Sequence, residues 1–278
     1  MSKPEPITIR DRRIATARGT VDVRDYAPRS AQPVGRPLLW VHGGGFTSGG
    51  LNQRESDAPA RHLARAGFTV RTIDYRLAPA ANPWREPDLQ PHHGRYPAGL
   101  DDVVAVAVSL SNEAGGGIHI GGASAGANLA AAAAIRLEAS DPATVRSLFL
   151  AYGTFHAELP DDDTVEADLR GRLAKWAFNP EMLRRMNLNY VGDPALLVPG
   201  GAFPGGTVER RMPPTFLLDA SNDRLRRSGH AFASELRRTG TDVRELVLTA
   251  RHGFLGAERG KPFAEGMSQF EHWLRSHA

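Results

Sequence analysis

The 278-residue sequence contains no cysteine, so it forms neither a disulfide bond nor a thiolate metal site. It has no apolar run long enough to cross a bilayer. Its first six residues, MSKPEP, lack the apolar stretch of a secretory signal. We therefore expect a cytoplasmic protein without a membrane partner.

The sequence also has little concentrated charge of either sign. Its 34 Lys and Arg residues nearly balance 31 Asp and Glu residues, and the formal net charge is +3. There is no long basic helix and no basic segment interleaved with aromatic residues, so we predict no nucleic-acid partner. We interpret the densest cationic cluster, Arg224-Leu225-Arg226-Arg227, as a solvated surface.

Short apolar strands alternate with helices along most of the chain. After one or two edge strands within 15–26, the predicted strands lie at 37–41, 68–74, 117–120, 147–152, 215–219 and 243–248. The predicted helices lie at 57–67, 98–110, 125–137, 225–238 and 262–276. This alternation predicts a single α/β domain over 1–278, with a mainly parallel, doubly wound sheet.

The segment 155–212 breaks this alternation because it is too long for a connection in a compact domain. It contains an acidic run, Asp161-Asp162-Asp163, and two stretches of helical spacing. We predict a helical cap inserted over the carboxyl edge of the sheet, where such folds bind ligands. The N-terminus and the 82–95 loop are further candidate parts of this cap.

The chemistry of the sequence centres on Ser124, in Gly122-Ala123-Ser124-Ala125-Gly126. A short β-branched strand precedes this motif and an alanine-rich helix follows it, which is the setting of a nucleophile elbow. Gly122 and Gly126 fit such a tight turn because a Cβ would clash there. Taken alone, the motif also fits a glycine-rich turn whose serine has no catalytic role.

A serine nucleophile needs a base and an acid, which follow it in the chain order Ser, acid, His. His252 is the histidine that lies in a loop after the last predicted strand. Asp219 and Asp223 both follow the strand before it. Spacing favours Asp223, which lies in the loop with freedom to reach an imidazole, and leaves Asp219 open.

The remaining requirement is a set of donors for the oxyanion. The run His42-Gly43-Gly44-Gly45 follows a buried strand, and its glycines let backbone N–H groups approach a substrate oxygen. A phosphate-binding loop is the alternative. It is disfavoured because no helix begins directly after the glycines and no Lys-Ser/Thr pair follows them.

Taken together, these motifs resemble those of the hormone-sensitive-lipase-like esterases. The shared motifs, in family order over 42–254, are HGGGF at 42–46, DYRLAP at 74–79, GASAGANLA at 122–130, NDRL at 222–225 and HGF at 252–254. The resemblance implies an α/β-hydrolase fold with a helical cap and hydrolysis of carboxylic esters. It also implies a catalytic Ser124, Asp223 and His252, with an oxyanion hole at Gly44, Gly45 and Ala125.

The chain departs from the family pattern at several positions. Ala123 stands where the family usually has Asp, Ala127 where it has Gly, and Ala80 where it has Glu. The 82–95 loop is additional, and the loop around Asp223 is unusually basic.

From this we predict a serine carboxylesterase of short-chain esters, with a small-molecule ester as its partner and a homodimer left open. We expect no cofactor and no metal, because no ligand cluster is visible. The alternative is a biosynthetic lyase, cyclase or lactone hydrolase that uses the same triad, with the 82–95 loop as its supporting feature. A binding module without turnover is a further class, which the intact triad disfavours.

Overall fold

A computed structural model describes residues 7–29 and 32–278. It contains one eight-stranded sheet of order β1-β2-β4-β3-β5-β6-β7-β8. The strands are β1 (Ile7–Thr16), β2 (Gly19–Pro28), β3 (Leu38–Val41), β4 (Val70–Asp74), β5 (Ile118–Ala123), β6 (Val145–Ala151), β7 (Thr215–Asn222) and β8 (Val243–Arg251). The six strands from β3 to β8 run parallel, and β1 and β2 extend the sheet antiparallel. The predicted doubly wound, mainly parallel sheet is confirmed.

Helices cover both faces of this sheet. They are α1 (Arg54–Arg65), α2 (Ala98–Glu113), α3 (Ala125–Ser140), α4 (Asp163–Asp168), α5 (Gly171–Trp176), α6 (Pro180–Val191), α7 (Arg226–Arg238) and α8 (Lys261–Ser276). One apolar core joins the sheet to α2, α3 and α7, and a second joins the opposite face to α1 and α8. The central strands β3 to β7 are largely buried on both faces. Because β3 to β8 run parallel, the carboxyl ends of β3, β5, β7 and β8 lie at one edge of the sheet.

Two elements differ from the sequence-based expectation. The first edge strand begins at Ile7 and pairs with β2 over its whole length, whereas the sequence indicated strand from residue 15 onward. Its charged, mostly exposed residues give no apolar alternation to detect. The insertion contains three helices rather than two, because Asp162 caps an additional short helix, α4, by accepting from the Thr164 and Val165 amides.

The insertion lies between β6 and β7, and the 82–95 loop is attached to it. Trp84 stacks on Trp176 with ring centroids 4.0 Å apart. Glu86 accepts from Arg184 Nη2 at 2.5 Å and from Arg185 Nε at 3.0 Å. We call these five side chains the clasp. The candidate contribution of the N-terminus falls partly outside the described residues, since 1–6 are not among them; β1 itself is an edge strand of the sheet.

Candidate active site

Ser124 lies in the sharp turn between β5 and α3, with a positive φ of 54°. This conformation is strained for a residue with a side chain. The turn is possible because its flanking residues are glycines. A Cβ on Gly122 would overlap the Gly126 carbonyl, and a Cβ on Gly126 would overlap the Val41 carbonyl. The strand–turn–helix context predicted for Ser124 is therefore present, and the serine lies at the tip of the turn.

The structure brings Ser124, His252 and Asp223 into one hydrogen-bonded chain. The Ser124 hydroxyl lies 3.0 Å from His252 Nε2, and His252 Nδ1 lies 2.6 Å from Asp223 Oδ2. The other Asp223 oxygen accepts from the Leu225 amide at 3.0 Å, which fixes the carboxylate. With Nδ1–H donating to Asp223, Nε2 is the acceptor that faces the serine hydroxyl.

Asp219, the alternative acid, lies outside this hydrogen-bonded chain. Its carboxyl is buried against α7, where a Cβ on Gly229 would overlap it. Burial raises its pKa well above the ordinary value, and the charge of Asp223 adds to that rise. Of the two acids, Asp223 is the one in contact with His252.

Two aromatic rings hold the His252 imidazole from its sides. Tyr152 packs edge-on with ring centroids 4.9 Å apart, and Phe178 lies at 4.6 Å. Both aromatic residues have a positive φ, 37° for Tyr152 and 51° for Phe178. The Tyr152 hydroxyl donates to Glu55 Oε1 at 2.7 Å. The sequence analysis did not identify Tyr152, Phe178 or Glu55, because no local pattern places them beside His252.

The pKa of His252 is raised by its neighbours. Burial alone would lower it, because the charged imidazolium loses solvation. The charge and hydrogen bond of Asp223, together with the charge of Glu55, outweigh that effect. Asp223 and Glu55 therefore stabilise the protonated, imidazolium form of His252.

The glycine loop after β3 lies beside the serine. Gly44 and Gly45 both have positive φ, 118° and 60°. Within the described chain, neither of their N–H groups donates to a backbone acceptor. Ala125 is the first residue of α3, where an N–H has no partner inside the helix. These are the three N–H groups that the family resemblance names as an oxyanion hole, and that role stays a prediction.

His42 stabilises this glycine loop. It is fully buried, stacks on Tyr75 with centroids 4.3 Å apart, and donates from Nδ1 to the Gly43 carbonyl at 2.7 Å. Burial lowers its pKa to about 4. His42 is therefore neutral and helps to fix the glycine loop. His252 is the imidazole that faces the Ser124 hydroxyl.

A cleft of about 390 Å³ opens in front of Ser124 and His252. This volume lies in the usual range of small-molecule sites. The insertion supplies its apolar wall through Phe178, Met182 and Met186, and the 82–95 loop supplies another wall that includes Pro83 and Arg85. Residues of the insertion and of the 82–95 loop thus both line the cleft.

The basic cluster beside Asp223 is not a solvated surface, which corrects our interpretation. Arg224, Arg226 and Arg227 are 6%, 6% and 9% exposed. Arg224 and Arg227 bind Glu166, and Arg226 binds Asp168. These ion pairs attach α4 to the loop that carries Asp223 and to the start of α7, so the cluster has a structural role that its sequence did not reveal.

Two further observations concern metal ions and membranes. Among the described residues, no group of three or more potential ligand side chains is arranged to hold a metal ion. In the same part of the chain, no helix combines the length and apolarity needed to cross a membrane.

Comparison with known proteins agrees with this geometry. Residues 38–256 match the alpha/beta hydrolase fold family. The chain is 32% identical over 251 residues to Carboxylesterase NlhH of Mycobacterium tuberculosis, covering 84% of this chain and 71% of that protein. It is 30% identical to Carboxylic ester hydrolase LipN of the same organism, covering 98% of this chain and 71% of the relative.

Among solved structures, an esterase of Pyrobaculum calidifontis superposes with a TM-score of 0.82 at 24% identity. The match covers 98% of this chain and 86% of that one. The predicted fold is confirmed by this likeness.

Proposed function

This chain belongs to the alpha/beta hydrolase fold family, in its hormone-sensitive-lipase-like group, and we propose that it is a serine carboxylesterase acting through an acyl-enzyme. The single observation that carries the proposal is the continuous chain from Ser124 through His252 to Asp223 at the edge of a small cleft. The carboxylesterase relatives support it independently.

In this mechanism His252 takes the Ser124 proton as the hydroxyl attacks the ester carbonyl, and then gives it to the leaving alcohol. Asp223 holds the imidazole tautomer and offsets its positive charge. Water enters after the alcohol has left and hydrolyses the acyl-enzyme, with His252 again as the base. The raised pKa of His252 supports its service as proton acceptor in both steps.

We assign the oxyanion hole to the N–H groups of Gly44, Gly45 and Ala125. Their support is the positive φ at both glycines and the helix-start position of Ala125. Preorganised donors of this kind each contribute about 2.7–4 kcal/mol to transition-state stabilisation.

We assign residues 155–212 and the 82–95 loop to a cap that limits the acyl group. The cleft between them is small and its apolar wall is formed by Phe178, Met182 and Met186. Each methylene that fits contributes about 0.8 kcal/mol until the cleft is full, and longer chains then meet steric strain. The proposed substrates are water-soluble esters of short acyl groups, roughly up to eight carbons.

An acyl-length series tests this proposal directly. We expect kcat/KM for p-nitrophenyl esters to rise from acetate to a maximum at or below about eight carbons, and to fall toward palmitate. A rate that keeps increasing into long chains, or rises abruptly when the substrate forms micelles, would contradict a covered cleft and indicate a lipase. Absence of turnover on every ester would contradict the esterase assignment itself.

Glu55 gives a pH prediction. Its charge helps to raise the pKa of His252 after the larger effects of burial and Asp223. Glu55→Gln keeps an acceptor for Tyr152 but removes the charge, so the pKa of His252 should fall. Because the base must be neutral, the acid limb of the kcat/KM profile should move to lower pH. Tyr152→Phe is the matched control, which removes the hydroxyl but keeps Glu55 charged and should leave that limb closer to wild type.

The biosynthetic alternative with the same triad has no comparison that favours it over an esterase. Its supporting feature, the 82–95 loop, forms part of a cleft wall and adds no reactive group next to Ser124. A cytoplasmic location and a homodimer stay predictions of the sequence.

A further inference from the structure

The additional loop places a cation in the catalytic cleft. Arg85 lines the same cleft as Ser124 and His252, and it also borders a second depression formed by the rest of the loop. Its two neighbours in the chain are both fixed by the clasp, Trp84 by the stack on Trp176 and Glu86 by Arg184 and Arg185. Arg85 is therefore positioned at the cleft wall by contacts on either side.

The Arg85 guanidinium has no acidic partner among the described residues. The adjacent carboxylate, Glu86, binds Arg184 and Arg185 instead. Arg185, the other cation in the cleft wall, is also bound by Glu181 at 2.9 Å. The five N–H donors of Arg85 are thus available to a ligand that enters the cleft.

The carboxylate that lines the cleft does not neutralise this cation. Glu55 lies beside Gly43 and Gly253. One of its oxygens accepts from the Tyr152 hydroxyl, and the other lies 3.4 Å from Gln53 Nε2. Neither Glu55 oxygen is bonded to Arg85.

A neighbouring cleft adds positive charge to the same region. It has a volume of about 310 Å³ and shares His252 and Phe178 with the catalytic cleft. Arg170, Arg172 and Arg251 line it, and its acidic side chain, Asp223, is engaged by His252. Arg170, Arg172 and Arg251 add positive charge near His252, against the carboxylates of Asp223 and Glu55, and so favour the approach of an anionic substrate.

We propose that Arg85 is a specificity-determining residue that selects esters carrying a second, anionic group, a carboxylate separated from the ester by a short chain. The guanidinium matches a carboxylate with two parallel hydrogen bonds, while Met182 and Met186 offer apolar contact to the methylenes between. This proposal rests on the proposed esterase function. It names the class of ester that the cleft prefers.

Matched pairs of esters test the proposal. The acyl-side pair is mono-4-nitrophenyl glutarate and methyl 4-nitrophenyl glutarate, which differ in one charge. The alcohol-side pair is 4-acetoxybenzoate and its methyl ester. We expect kcat/KM for the anionic member of one pair to fall roughly three- to tenfold in Arg85→Gln, and to recover in part in Arg85→Lys. The rates of the neutral members should fall by a much smaller factor.

The remote control is Arg146→Gln, which removes the same charge at the amino end of β6, opposite the cleft. It should leave the anionic and neutral rates unchanged. Added salt should reduce the anionic preference of the wild type. A loss in one pair alone assigns the carboxylate to the acyl or the alcohol side.

Equal rates for anionic and neutral esters in wild type and Arg85→Gln would overturn the proposal, and so would an equal loss on both members of each pair. Failure of the wild type to hydrolyse the neutral esters would instead count against the esterase function. The two failures are therefore distinguishable.

Discussion

Replacing Ser124 with alanine is expected to reduce kcat for a short p-nitrophenyl ester by roughly 10⁶-fold, as loss of a triad nucleophile does in serine proteases. The hydroxyl is the group that faces His252 Nε2, and alanine offers no nucleophile in its place. Alanine also has a Cβ, so the backbone strain at φ 54° is the same in the wild type and in Ser124→Ala. We therefore expect an inactive protein with an unchanged fold.

The measurement is turnover together with Tm and far-UV circular dichroism on the purified variant. A phosphonate ester that labels serine hydrolases should add its mass to the wild type and not to Ser124→Ala. Ser140→Ala, an exposed serine at the end of the same helix, is the matched control and should stay active and labelled. Activity retained in a clean Ser124→Ala preparation would falsify the nucleophile assignment.

The second large effect separates the two acids. Asp223→Asn should reduce kcat by about 10⁴-fold, by analogy with the equivalent change in serine proteases. The amide no longer offsets the imidazolium charge, and it favours the tautomer with Nε2 protonated, which cannot accept the Ser124 proton. The 2.6 Å contact between His252 Nδ1 and Asp223 Oδ2 makes this residue the sensitive one.

Asp219→Asn is the matched control for that experiment. The Asp219 carboxyl is buried against α7, and its raised pKa reflects the loss of solvation there. Its replacement removes a carboxyl that does not contact His252, so kcat should change little. If Asp219→Asn proved the more damaging of the two variants, Asp223 would not be the triad acid.

The arrangement of the candidate site was predictable from sequence because its parts obey strict local geometry. Gly122 and Gly126 are required by the backbone contacts of the turn, and a sequence pattern records such requirements directly. The order Ser124, Asp223, His252 follows from the order of strands in the sheet. Residues fixed by backbone geometry and topology were thus predictable one by one.

Contacts that depend on tertiary packing were not predictable. Tyr152, Phe178 and Glu55 surround His252 although they lie far apart in the chain, and no local pattern links them. The edge strand β1 was placed too late because charged residues interrupt its apolar ones, and its pairing with β2 over ten residues is a tertiary contact that no local pattern records. The cationic cluster near Asp223 was misinterpreted because its acidic partners lie about sixty positions earlier.

The clasp also gives the protein an optical property. Of the four tryptophans, Trp40 and Trp273 are buried in the core, whereas Trp84 and Trp176 are 44% and 51% exposed. The outer pair is therefore the one that a soluble quencher such as acrylamide reaches first. Intrinsic fluorescence thus divides into a core signal that reports folding and a surface signal that reports the contact between the 82–95 loop and the insertion, without any attached dye.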